Sequence, residues 1–102
     1  MTYRLTQRAQ QGLFRIVIYT EENFGPELAD RALRSIVEAF ETITTHPDLG
    51  HAREDLTGEA EVRFWSVGPT LLAYRSRPAG IEVLFVERAE MDWIKILGDL
   101  DR

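Results

Sequence analysis

The period of the hydrophobic pattern changes from helical to alternating near residue 61, and this separates a helical hairpin from a run of strands. From Gln7 to about Asn23, the residues Leu13, Ile16, Val17, Thr20 and Phe24 recur at three- and four-residue steps, which predicts one helix with a buried stripe. Phe24-Gly25-Pro26-Glu27 ends it and starts another, since proline suits a first helical turn and an acid there opposes the positive end of the dipole. In the second helix Ala29, Ala32, Leu33, Ile36, Phe40 and Ile43 form the predicted buried stripe, with Asp30, Arg31, Arg34, Glu38 and Glu41 on the other faces. His46-Pro47-Asp48-Leu49-Gly50 stops the pattern, because proline cannot continue the ladder, and a loop is expected to run on to about Glu61.

Beyond that point residues alternate. Val62, Phe64 and Ser66 fall on one face of a strand and Arg63, Trp65 and Val67 on the other. Gly68-Pro69 and Pro78-Ala79-Gly80 are turns, so Leu71–Arg77 and Ile81–Arg88 complete an antiparallel meander. Tyr3 and Leu5 alternate with Arg4 in a first short strand, after which the Thr6 hydroxyl is placed to cap the first helix. Met91, Trp93, Ile94 and Leu97 predict a short amphipathic C-terminal helix. The expected fold is α+β in the order β-α-α-β-β-β-α: an N-terminal helical hairpin packed on a small antiparallel sheet, with a short C-terminal helix, in one domain spanning 1–102.

A chain of 102 residues, 44% hydrophobic, is long enough for one compact core. No apolar run approaches the roughly 20 residues that cross a bilayer, and Met1-Thr2-Tyr3-Arg4 does not open a secretory signal, so a cytoplasmic location is expected. With no cysteine, stability must come from packing. A net charge of −5 argues against nonspecific binding to nucleic acid, although eleven arginines leave room for a local basic patch.

Phe14 and Ile18 lie beside the first helical stripe and widen it; they either edge the core or meet a partner. Trp65 and Trp93 are large enough to dominate an interface or to fill a core, with Trp65 placed on a sheet face near the partner and Trp93 in the core. An RNA-cleaving site needs a base, an acid and phosphate stabilisation; Arg63, Arg75, Arg77 and Arg88 supply only the last. Glu82, Glu87 and Glu90 are the carboxylates that remain for the base. His46 and His51 with Asp48 and Glu54 match no recognised metal spacing, and His46 reads more simply as a cation at a helix end. No catalytic set, metal or cofactor is therefore expected.

Several phrases carry a family likeness. Tyr3-Arg4-Leu5-Thr6 with Arg8-Ala9 and Leu13, then Phe24-Gly25-Pro26-Glu27, His46-Pro47-Asp48-Leu49-Gly50 and Arg53-Glu54-Asp55-Leu56, open the chain. Val67-Gly68-Pro69 leading to Ala73-Tyr74-Arg75, then Ile81-Glu82-Val83-Leu84 and Met91-Asp92-Trp93, close it. Together they resemble the ParE/RelE toxin superfamily over nearly the whole chain, and within it ParE. Relatives commonly carry an acid where this chain has Gly12, and many carry a histidine and a basic residue where it has Arg88 and Glu90.

The resemblance implies the toxin of a type II toxin–antitoxin module, which blocks DNA gyrase by protein binding without being an enzyme. It further implies neutralisation by a ParD-like ribbon-helix-helix antitoxin, with no direct nucleic-acid binding in its absence. Antitoxin contact is expected at Phe14, Ile18, Arg63, Trp65, Arg75 and Arg77, where arginine pairs with antitoxin acids. Target contact is expected at Arg88, Glu90 and Asp92. The alternatives are a RelE-like ribosome-dependent mRNA endoribonuclease, in which Arg63, Arg75, Arg77 and Arg88 hold phosphate, and an inactive toxin-shaped binding module.

Overall fold

The structure, a computed structural model, describes residues 2–52 and 61–89. Strand β1 (Thr2–Leu5) is followed by helices α1 (Gln7–Phe24) and α2 (Pro26–Thr45), and then by strands β2 (His51–Ala52), β3 (Arg63–Val67), β4 (Thr70–Arg77) and β5 (Gly80–Arg88). The helical hairpin starts and stops where capping chemistry dictates. Thr6 accepts the Ala9 N–H at 3.1 Å, while its own hydroxyl and amide donate to the Leu84 and Val83 carbonyls, so one residue caps α1 and ties it to β5. Gly25, at a φ of 94°, turns the chain out of α1; its N–H returns to the Glu21 carbonyl and Pro26 opens α2.

The sheet differs from the expected antiparallel one. It has five strands in the order β1-β5-β4-β3-β2, and it is mixed. β3, β4 and β5 form the antiparallel meander, but β1 lies parallel to β5, with Tyr3 opposite Ile81 and Leu5 opposite Val83. Alternation in Tyr3–Leu5 fixes which side chains face the core but not the direction of the partner strand. β2 pairs with β3 inside the stretch expected to be loop; two residues are too few to leave a periodic signal. The observed order is thus β-α-α-β-β-β-β, and the expected helix over Met91–Leu97 lies outside the described residues.

Both helices pack on one face of the sheet. Ala9, Ile16, Ile36, Ala39, Phe40 and Ile43 meet Leu72, Tyr74, Ile81, Val83 and Val86, with Tyr3, Leu5, Trp65 and Val67 packed around them. Val62, Phe64, Ala73, Leu84 and Phe85 form a second cluster on the opposite face. At about 25 cal/mol per Å² of apolar surface, a fully buried side chain of this size contributes roughly 1.5–3 kcal/mol. Two residues expected in the buried stripes, Phe24 and Leu33, are exposed. Phe24 is the last residue of α1, rotated well off the Ile16 line, and Leu33 flanks the Ala29–Ile36–Ile43 line of α2. The contact of α1 with the sheet is instead centred on the small residues Ala9 and Gly12. Gly12 sits directly against the Val86 carbonyl, which a Cβ would overlap, so glycine lets α1 approach the β5 backbone beyond the end of β1.

Candidate partner-binding surface

The outer edge of α1 carries an apolar strip that the core does not use. Phe14 is 67% exposed and Ile18 38%, one turn apart, and Tyr19 and Phe24 continue the exposed apolar surface toward Leu28 of α2. Single exposed apolar residues are ordinary, whereas a contiguous patch marks an interaction site. Two hollows adjoin this strip. One, of about 410 Å³, lies between α1 and the end of β5 and is lined by Phe14, Arg15, Ile18, Tyr19, Glu22, Glu87 and Arg88. The other, of about 590 Å³, lies between the helical hairpin and the β3–β4 turn, against Tyr19, Phe24, Leu28, Ala32, Ile36, Val67 and Pro69, with Arg31 and Arg88 also lining it.

Charge is fixed at this edge by two contacts. Arg15 donates to Glu87 at 2.6 Å, and Glu87 is almost wholly buried, so a carboxylate on the strand is held by an arginine on the helix. The Arg88 guanidinium lies 4.0 Å above the Tyr19 ring centroid, a cation–π contact that places it where the two hollows meet.

A second polar centre lies on the sheet face turned away from the helices. Glu82 on β5 accepts from Arg4 on β1 at 2.7 Å and from Arg75 on β4 at 2.8 Å, with Arg77 at 4.0 Å, so one carboxylate links three strands. Burial pushes the Glu82 carboxyl up, and the hydrogen bonds from Arg75 and Arg4 more than offset this, leaving it below the ordinary carboxylate range. Glu61 adds longer contacts to Arg75 and Arg77, at 3.8 and 3.9 Å.

Register places the expected contact residues on two faces. Arg63 stands opposite Tyr74 and Trp65 opposite Leu72, on the helical side, whereas Arg75 pairs with Glu82 on the far side and Arg77 follows it there. Arg63 donates to the Gly50 carbonyl at 2.8 Å and lies 3.7 Å from Asp48; Trp65 is partly buried against the main core. Arg88 is on the helical side, against Tyr19. Arg63, Arg75, Arg77 and Arg88 therefore do not converge. Glu90 and Asp92 lie outside the described residues, as do Trp93 and the Arg53-Glu54-Asp55-Leu56 phrase. Among the described residues no three His, Asp or Glu side chains gather as a metal site.

A family model described as the ParE toxin of type II toxin–antitoxin system, parDE, matches residues 3–93. The chain belongs to the ParE toxin family. Among solved structures, it is similar to a chain of the chromosomal ParDE toxin–antitoxin system from P. aeruginosa, with a TM-score of 0.73 and 25% identity over 88% of this chain and 97% of that one. Among curated proteins, none matches. Membership in the ParE family implies an antitoxin partner, and the strip on α1 is exposed apolar area that the core does not use. Tyr19 belongs to this ParE surface but escaped the sequence reading, and Glu87, weighed in the sequence only as a carboxylate for a base, is paired with Arg15. Tyr19 sits three residues after Ile16 and one after Ile18, a spacing that marks it as part of the widened face. Nothing in the sequence marks Glu87 as buried, since its partner Arg15 is 72 residues away.

Proposed function

We propose that this chain is the toxin of a type II toxin–antitoxin pair, one ParE/RelE-like domain over residues 1–102, that inhibits DNA gyrase by binding it and is neutralised by a ParD-like antitoxin. The observation that carries this reading is the contiguous apolar strip of Phe14, Ile18, Tyr19 and Phe24 on a member of the ParE family. Such a surface suits protein binding, because apolar and aromatic side chains supply most of the energy of an interface. Antitoxin contact is assigned to Phe14 and Ile18, with Arg63 and Trp65 on the same side of the sheet. A partner that also reaches Arg75 and Arg77 must wrap an edge of the sheet, because those two project from the far side. Target contact is assigned to Arg88 and, beyond the described residues, to Glu90 and Asp92. The site of action is the cytoplasm, where gyrase works; no helix among the described residues is long and apolar enough to cross a membrane.

The reading separates cleanly from its alternatives by experiment. Purified chain added to gyrase is expected to inhibit supercoiling, and stoichiometric ParD-like antitoxin to restore it. Unimpaired supercoiling together with cleavage of mRNA on ribosomes would replace this reading with an endoribonuclease. Inertness in both assays with retained antitoxin affinity would leave a binding module.

A further inference from the structure

Phe14 and Ile18 stand one turn apart on the outer edge of α1, and Glu22 follows one turn later, so Phe14, Arg15, Ile18 and Glu22 share one exposed stripe. Charge changes sign along it: Arg8 and Arg15 precede Ile18 on the helix, and Glu21 and Glu22 follow it. We propose that this stripe pairs with the same stripe of a second copy of the chain, antiparallel about a two-fold axis at Ile18, and that the antitoxin and the second copy compete for it. The inference rests on the toxin–antitoxin reading only for the competitor, which that reading assigns to Phe14 and Ile18.

A two-fold interface is one patch meeting itself, so the patch must complement its own reverse. This stripe does. With Ile18 on the axis, Arg15 of one copy and Glu22 of the other stand within about 1.5 Å of the same level, one residue's rise, and symmetry makes the pair twice. A parallel pairing sets Arg15 on Arg15 and Glu22 on Glu22 instead, so charge selects the direction, and the opposed helix dipoles agree with it. The charges are also placed to serve. Glu21 and Glu22 have no cation three or four residues away and form no ion pair among the described residues. Arg15 donates to Glu87 through one nitrogen, which orders the side chain, yet that side chain stays 57% exposed and a guanidinium carries five N–H donors. Apolar contact fills the middle. Phe14 is the most exposed large apolar residue among those described, and in this pairing it lies about 6 Å along the axis from Ile18 of the other copy, within reach of an aromatic ring. A contact confined to one helix pair lies at the small end of specific interfaces, and two copies of charge −5 repel at long range. The dimer is accordingly weak, with dissociation in the micromolar range, and yields to a partner that buries more surface.

The chain has no cysteine, so a single introduced thiol reports on one position. Helices packed about 8–10 Å apart bring Cα atoms on a two-fold axis within disulfide reach. Under oxidising conditions Ile18→Cys is expected to cross-link to twice the 11.7 kDa of one chain, whereas Glu38→Cys, exposed on α2, stays at the single mass. Whole ParD-like antitoxin, added before the oxidant, is expected to abolish the cross-link. In sedimentation equilibrium the native chain is expected to rise in mass with concentration, and Glu22→Lys, an exposed change that sets a cation against Arg15 twice over, to weaken association about tenfold. Ile18→Asp and Ile18→Lys are each expected to be monomeric alone and to associate when mixed, because position 18 meets itself. Where an Ile18 variant fails to fold, Glu22→Lys decides. A native chain that stays monomeric throughout the micromolar range, equal cross-linking through Ile18→Cys and Glu38→Cys, or association indifferent to Glu22→Lys would overturn the pairing and leave the toxin–antitoxin reading intact. A cross-link that forms under saturating antitoxin would overturn the competition. A chain that pairs in this way and binds no antitoxin would overturn the toxin–antitoxin reading and leave the pairing standing.

Discussion

The hydroxyl of Tyr74 carries the turn after the second helix. It donates to the Pro47 carbonyl at 2.7 Å and accepts the Gly50 N–H at 2.8 Å, while Arg63 holds the Gly50 carbonyl. Gly50 is buried, and a Cβ there would press on the same hydroxyl, so ring and glycine are matched in shape as well as in bonding. Tyr74→Phe leaves the Gly50 amide without its partner and is expected to cost about 1–3 kcal/mol in urea unfolding. Burial pushes the Tyr74 phenol above its ordinary value near 10, with the Gly50 contact opposing the rise. The unfolded chain therefore loses this proton first: the stabilisation is complete below about pH 10 and is lost as pH rises through the higher folded value. Tyr74→Phe should lack that alkaline loss, and unfolding midpoints compared between pH 8 and 11 would reveal it.

At the scale of elements, the decisive contact is between α1 and the uncovered part of β5. Helix propensity alone makes Gly12→Ala favourable by roughly 1 kcal/mol. The Val86 carbonyl reverses that sign, because an added Cβ forces the helix off the strand; a net loss on the order of 1–3 kcal/mol is expected by thermal unfolding. The same displacement would pull Arg15 from Glu87. Across the sheet, Glu82 joins β1, β4 and β5. Its depressed pKa means that its contribution is present above about pH 4.5, the unfolded value, and is lost as pH falls through the folded one. Glu82→Gln should accordingly flatten the acid limb of the stability curve while lowering stability at neutral pH. Both helices, the meander and the two faces of β3 were legible in the sequence, because their apolar spacing runs over enough residues to show a period. Ala9 and Gly12 were not, since close packing against backbone favours small side chains that hydrophobic periodicity does not register. The direction of β1 was illegible for the same kind of reason: alternation is identical in parallel and antiparallel pairs.

Over the whole molecule, the buried core and the proposed partner surface are made of different atoms. Ser in place of Phe14, which is 67% exposed, removes mainly exposed apolar surface, so unfolding free energy is expected to stay within about 0.5 kcal/mol of the native value. Antitoxin affinity, measured by calorimetry, is expected to drop about tenfold or more for Phe14→Ser, as for a truncated aromatic anchor. A large loss of stability instead would place Phe14 in the core. How much of this surface was visible beforehand differed by residue. Phe14 and Ile18 exceed what one buried stripe needs, and that excess is written in the spacing. The separation of Arg63 from Arg75 across the sheet depends on strand register, and the seat of Arg88 on Tyr19 joins residues far apart in the chain. Because β1 pairs with β5, the first strand made has no neighbour in the sheet until β5 is made. The helical hairpin leaves the ribosome well before the strands that cover its buried stripe, and at about 5–20 residues per second this interval lasts a few seconds. During that time the nascent hairpin exposes the apolar residues of its future core together with Phe14 and Ile18, and the sheet strands then cover the former.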